Sequence, residues 1–336
     1  MNESLAGSFE RLTRILRRRS VAIGLSLIIT VLALWLSLRN VDFAEAWRAI
    51  RSIHPLSMVA ALGFMIVGTL LRTWRWHVFL RRSGSTYRAS LEAVLVSIFF
   101  NGLLPMRSGE AMRIAYFARR TGAGVLATTT GLVLERVLDV ITISTIGAVA
   151  VSLTLGDRFP GLPLPPATLA IAAICACVAT LGGGWILSRN RDAVLGKAAE
   201  PGRLRRWIHD ALGGLASLDS GASAAAVVAL SFATWSVTTF PSVCVFCGAG
   251  IDVPLWAGFV IVLSIAFAIA LPSSPGFIGT YHLGFIAGAT LLGLPKDVSL
   301  AAAIVTHLLS QIPFIAAGGY VLATGGRNLL AKPQAR

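Results

Sequence analysis

The chain has 336 residues, 55% of them hydrophobic and only 13% charged, with a mean hydropathy of +0.76. An ordinary soluble domain carries about 25% charged residues, so this chain cannot coat a soluble surface. Collagen-like, disordered and disulfide-scaffold classes are excluded by the same composition. The 29 basic and 15 acidic residues leave a formal charge of +14, and they fall in short clusters between apolar runs. That distribution belongs to a multi-pass membrane protein with basic loops on the cytoplasmic side, not to a nucleic-acid binder. Only Lys197, Lys296 and Lys332 are lysines. Arginine dominates, and arginine grips phosphate bidentately where lysine offers a point charge. Cys175, Cys177, Cys244 and Cys247 lie in apolar runs and read as small filler.

Taken in chain order, Arg11, Arg14, Arg17, Arg18 and Arg19 precede the apolar run Val21 to Leu38. A signal peptide would have a shorter core and a small-residue cleavage site, so this run is an uncleaved first span with a cytoplasmic N-terminus. Residues 39–55 predict a short amphipathic helix at the outer interface, ended by Pro55. A second span follows from about Leu56 to Leu71. Arg72, Arg75, Arg81, Arg82 and Arg88, with Trp74 and Trp76 at headgroup depth, return the chain to the cytoplasm. The next apolar run, Leu91 to Leu104, reaches roughly 21 Å at helical rise, short of the ~30 Å hydrocarbon core. Pro105 breaks it. A hairpin entering from the cytoplasm, with arms 91–104 and 106–118, keeps Arg119 and Arg120 inside.

Val125 to Leu155 forms the next span, interrupted by Glu135, Arg136 and Asp139. The loop 156–166 suits the outside, 167–187 crosses back, and the Arg-rich loop 188–223 is cytoplasmic. Residues 224–247 cross outward again. From Val253 to Pro295 there is no Asp, Glu, Lys or Arg. This stretch predicts a second hairpin, 255–294, entering from the outside and broken at Pro272–Gly276. A last span, about Ser299 to Thr324, leads to a cytoplasmic tail. The predicted fold is an all-α integral membrane protein, a helical bundle of six to eight spans with two re-entrant hairpins and an inverted repeat. Its parts are a basic tail (1–20), two membrane halves (21–160 and 161–326) and a C-terminal tail (327–336).

The two breaks resemble each other. Both read Leu-Pro, three residues, Gly: Leu104-Pro105 to Gly109, and Leu271-Pro272 to Gly276. Interrupted hydrophobic segments at matching places in two halves point to a transporter's substrate site. Broken backbone at membrane depth must be buried in protein or line a watery cavity.

Charge also sits at depth. Arg107, Glu110 and Arg113 follow at i, i+3, i+6 and share one face if helical. Glu135 and Asp139 are an i, i+4 pair beside Arg136, so three arginines and three acids form a neutral set. Each charge at the bilayer centre would cost ~2.5–3.5 kcal/mol, so the set faces inward and pairs. Arg136 is expected on Glu110, Asp139 or both, and Arg136→Ala to strand a buried acid. The set is either a structural ion lock or a pocket in which arginine exchanges a carboxylate for a lipid phosphate. The second half offers His282, and His307 with Gln311 at i, i+4 beside Thr306 and Ser310. No nucleophile elbow, phosphate-binding Gly loop, metal pattern or cofactor motif is present in the sequence.

Asn101-Gly-Leu-Leu-Pro-Met-Arg-Ser-Gly-Glu110 with Arg113, then Glu135-Arg136-Val-Leu-Asp139, then Pro272-Ser-Ser-Pro-Gly-Phe-Ile-Gly279 resemble one known family. It is the flippase-like transmembrane domain of lysylphosphatidylglycerol synthases and its stand-alone relatives. The resemblance covers about residues 20–325. It implies a lipid-translocating helical bundle with buried re-entrant segments. Many members carry Gly-Gly-x-Gly and then Glu in the last motif, where this chain has Gly276, Gly279 and His282. The soluble aminoacyl-transferase domain has no counterpart here, so lysyl-lipid synthesis is not expected of this polypeptide. The resemblance and the residues together nominate a headgroup pocket of Asn101, Pro105, Arg107, Gly109, Glu110, Arg113, Glu135, Arg136 and Asp139. From the second half it adds Pro272, Ser273, Ser274, Gly276, Gly279, His282, His307 and Gln311.

The expected function is a lipid flippase or exporter moving an anionic or isoprenoid-type lipid across a bacterial cytoplasmic membrane. Two alternatives stay open: a membrane-embedded enzyme acting on lipid headgroups, and an accessory partner of lipid-synthesis enzymes. The topology is directly testable by single-cysteine labelling in intact cells, in a background free of native cysteines. A cysteine replacing Ser217 is expected to resist external reagent; external labelling there would reverse the orientation.

Overall fold

The computed structural model describes residues 24–81, 85–105, 107–155 and 221–330, with a few helical positions between 168 and 179. The N-terminal tail, the loop 156–166, nearly all of 167–187 and nearly all of 188–223 lie outside the described residues, as do Met106 and 331–336. What is described is all-helical. Among the described residues, three helices are long and apolar enough to cross a membrane, or four if the bent first pair counts as one span.

That pair is α1 (Gly24–Leu38) and α2 (Phe43–Ser52), bent by 84°. Asp42 caps α2 by accepting from the backbone N–H of Ala44 and Glu45, the usual service of an Asp at a helix start. Pro55 opens α3 (Pro55–Leu80) rather than closing the amphipathic helix. Proline suits a first helical turn because its missing N–H would have no partner there. With 26 residues, α3 is about 39 Å long, and it runs nine residues past the predicted end of the span. Arg72, Arg75 and Trp76 are therefore on a continuous helix, and Arg75 and Trp76 are fully buried. Trp76 does not sit at headgroup depth as expected; it stacks edge-on against Phe117 inside the bundle.

The two broken segments are two helical hairpins. In the first, α4 (Tyr87–Leu103) packs on α5 (Ser108–Thr121) across the break at Leu104–Arg107. α6 (Val125–Leu155) is long enough to span but carries Glu135, Arg136 and Asp139 in its middle. The chain continues through α7 (Gly221–Val237) and α8 (Phe240–Gly248). The second hairpin pairs α9 (Ala257–Ala270) with α10 (Thr280–Leu291), joined through a 3-10 turn at Pro275–Phe277. α11 (Lys296–Leu330) closes the bundle and packs on α4.

Each hairpin has its own apolar core. Trp76, Phe79, Phe117, Leu138 and Val227 bury the first; Phe246, Ile261, Ile265, Phe285 and Val305 bury the second. Small residues let the arms close, as expected where helices meet without a hydrophobic driving force. A Cβ on Gly109 would overlap the Ser97 carbonyl oxygen on the facing arm, and one on Gly288 would lie 2.7 Å from Ile261 Cα. Gly63, by contrast, faces open space. Gly109→Ala and Gly288→Ala should each cost about 1–3 kcal/mol by overpacking, read as a lower melting temperature in detergent. Gly63→Ala should be neutral or slightly stabilising, and equal behaviour of all three would refute the close approach.

Candidate functional site

The centre of the first half is a carboxylate. Glu135 on α6 is fully buried and meets four guanidinium groups from three helices. Its Oε1 accepts from Arg72 Nε at 2.9 Å and Arg136 Nη2 at 3.2 Å, with Arg75 Nη2 at 3.5 Å. Its Oε2 lies 3.0 Å from Arg113 Nη1. One turn along, Asp139 holds Arg75 at 2.7 Å and Arg136 at 3.1 Å and accepts from Trp235 Nε1 on α7 at 3.0 Å. Arg75 also donates to Ser231, and Arg136 reaches Glu110 at 3.4 Å. Arg113 lies over the Trp76 ring at 3.9 Å, a cation–π contact that compensates for its poorly aligned bond to Glu135.

The predicted neutral set is therefore larger and not neutral. Arg72 and Arg75 join it from α3, giving five arginines with Arg107 against Glu110, Glu135 and Asp139. Two positive charges are left over. An isolated pair at this depth would be a net liability, and sharing each carboxylate among several arginines offsets that cost.

The surplus is presented at the hairpin breaks. Arg107 has a left-handed backbone, φ 52°, at the start of α5. That strain is held by two contacts to the opposite hairpin: its Nη2 donates to Ile269 O at 2.7 Å, and it lies 5.8 Å over the Phe277 ring. Gly276 and Phe277 are left-handed as well, and strained backbone of this kind clusters at functional sites. Behind them His307 Nε2 donates to Gly276 O at 2.7 Å, Tyr281 stacks on His307, and His282 approaches it edge-on at 4.9 Å. The break is fixed from its other side by α1, where Thr30 accepts the Ser274 N–H at 3.0 Å.

A cavity of about 320 Å³ opens where the breaks meet, walled by Arg72, Arg107, Glu110, Arg136, Asn101 and Gln311, with Phe277 and Phe314 as apolar walls. A smaller one, about 210 Å³, adjoins it through Asn101, Arg107 and Phe277 and reaches Pro272, Ser273 and Ser274. Asn101 also accepts the Gly109 N–H at 2.9 Å, bracing the first break. The other nominated residues, apart from Pro105 at the break itself, stand behind these walls. Arg113, Glu135 and Asp139 form the buried ion network; Gly109 and Gly279 are packing contacts; Gly276, His282 and His307 support the second break. Arg113, expected to meet a phosphate, has no exposed surface, because Glu135 and Trp76 enclose it. Arg72, read as an interfacial charge, takes a place on the cavity wall instead.

A model of the lysylphosphatidylglycerol synthase TM region matches residues 21–318. The chain belongs to that family. Glycosyltransferase AglD of Haloferax volcanii is 26% identical to it over 348 residues, which cover 91% of this chain and 54% of that protein. The chain thus spans about half the length of this relative. Membership and composition together make it a multi-pass membrane protein of a lipid-related family.

The ion network also revises what Arg136→Ala does. Glu135 keeps Arg72, Arg75 and Arg113, and Asp139 keeps Arg75 and Trp235, so the variant should fold with only a small loss. Glu135→Ala instead leaves Arg113 buried without a carboxylate and should cost about 3–5 kcal/mol. Thermal unfolding in detergent compares the two. A larger loss for Arg136→Ala would contradict the shared-carboxylate arrangement.

Proposed function

We propose that this member of the family moves a phosphate-bearing lipid between the leaflets of a bacterial cytoplasmic membrane. One observation carries the reading: the two hairpin breaks meet at a cavity in which arginines outnumber carboxylates. Arg107, Arg72 and Arg136 would take the headgroup phosphate, and the acyl or isoprenoid chains would stay in the lipid. Charge-assisted bonds from arginine to phosphate are short and strong, so an anion is what relieves the local surplus. Asn101, Gln311 and backbone N–H groups of the second break would complete the grip on the headgroup.

In this reading the hairpins are re-entrant, entering from opposite sides as halves of an inverted repeat, with N- and C-termini cytoplasmic and six to eight spans in all. Substrate sites of such transporters lie at the repeat interface near the midplane. Rocking one half against the other would give alternating access without a covalent step. An enzymatic reading draws on the name of the Haloferax volcanii relative, and it would need a free acid or base. Glu135 and Asp139 are each engaged by several arginines and a poor source of one. An accessory role beside lipid-synthesis enzymes predicts no movement at all.

Reconstitution in liposomes with fluorescent anionic and zwitterionic lipids separates these readings. Transfer of the anionic lipid is expected, with Arg107→Gln combined with Arg72→Gln reducing it at least ten-fold. Equal scrambling of both lipids, unchanged in the variant, would overturn the arginine–phosphate mechanism. Headgroup conversion would favour the enzyme, and no transfer the accessory role.

A further inference from the structure

A second cavity, larger than the one at the breaks, lies elsewhere in the bundle. A cleft of about 400 Å³ lies between the start of α4, the end of α5 and the end of α11. Its rim carries Arg88, Arg119 and Arg120, with Glu92 as the single carboxylate. Glu92 is mostly buried and accepts from Arg88 Nε at 3.0 Å, Arg120 Nε at 3.2 Å and the Tyr116 hydroxyl at 3.0 Å. Arg119 has no carboxylate among the described residues. Three cations against one anion leave two positive charges on a concave surface. The cleft and the central cavity share no lining residue, and Arg88 on the rim stands ten positions, about 15 Å of helix, from Ile98 on the central cavity, so the two sites are distinct.

We infer that the cleft is a second binding site, one for the phosphate headgroup of an anionic phospholipid drawn from the adjoining leaflet. Its apolar lining identifies the occupant. Leu91, Leu95 and Val321, half-buried, line the same cleft as the exposed arginines, giving an apolar surface for the start of an acyl chain next to a seat for phosphate. A soluble phosphate would gain nothing from that surface. Tyr320, 71% exposed beside the cleft, is the kind of side chain that marks headgroup depth. Basic pockets between membrane helices on the cytoplasmic side bind anionic headgroups in this way. Glu92 has a defined part: by pairing with Arg88 and Arg120 it limits the charge the site presents.

The test is native mass spectrometry of the purified full chain, titrated separately with phosphatidylglycerol, phosphatidylcholine and soluble glycerol phosphate. The wild type should retain one more phosphatidylglycerol than an Arg119→Gln/Arg120→Gln variant, whose affinity at this site should be about thirty-fold weaker. Glu92→Gln removes the only carboxylate that lines the cleft among the described residues and should bind phosphatidylglycerol several-fold more tightly, a sign that unfolding cannot mimic. Equal retention of phosphatidylcholine, or weaker binding by Glu92→Gln, would overturn the site. Displacement of the lipid by equimolar glycerol phosphate would overturn the lipid as its occupant. The outcome is independent of transport through the central cavity, since only bound lipid is counted.

Discussion

Three helices of this protein, α3, α5 and α6, are arranged around one buried carboxylate. Glu135 draws Arg72 and Arg75 from α3, Arg113 from α5 and Arg136 from its own helix to within 3.5 Å. In a low-dielectric interior no single one of these charges is tolerable alone, and removing the shared anion would leave four cations facing each other. The arrangement therefore locks three helices in register. Trp76 and Trp235 complete it from the apolar side, one beneath Arg113 and the other bonded to Asp139. The ion network is first a structural device, and its chemical use follows from its imbalance.

That imbalance appears where the backbone is broken. Arg107 is held out of helical geometry and pointed at the second hairpin, where Ile269 O and Phe277 receive it. The second hairpin has no formal charge to match. It offers a carbonyl, hydroxyls and an aromatic face, supported from behind by His307 and from α1 by Thr30. The interface between hairpins is thus chemically asymmetric, cationic on one side and neutral polar on the other. A phosphate with its chains trailing toward lipid is complementary to such a surface.

Much of this was readable in the chain itself. The Leu-Pro-x-x-x-Gly breaks, the i, i+4 acids of α6 and the His307–Gln311 line all mark residues that stand at or behind the cavity. Arg72 and Arg75 depart from the interfacial place their sequence context predicts, for a specific reason. A basic pair beside tryptophans normally signals the membrane interface, and here the helix continues to Leu80 and turns both arginines inward. Their i, i+3 spacing within an unbroken helical run was the available signal. The partners of Asp139 and Ser274 were beyond local pattern. Trp235 and Thr30 are 96 and 244 residues away in sequence, and only packing brings them together. The same limit applied to Arg113, whose place on the α5 face was clear while its enclosure by Trp76 was not.

The central claim is that the cavity between the breaks holds a phosphate-bearing headgroup. A photo-reactive amino acid replacing Ile98, which lines that cavity, tests it most directly when cross-linked in native membranes and analysed by mass spectrometry. The account predicts a covalent adduct with a phosphate-bearing anionic lipid, depleted when Arg107 is changed to Gln. Adducts with zwitterionic lipids in proportion to their abundance, indifferent to Arg107, would contradict it.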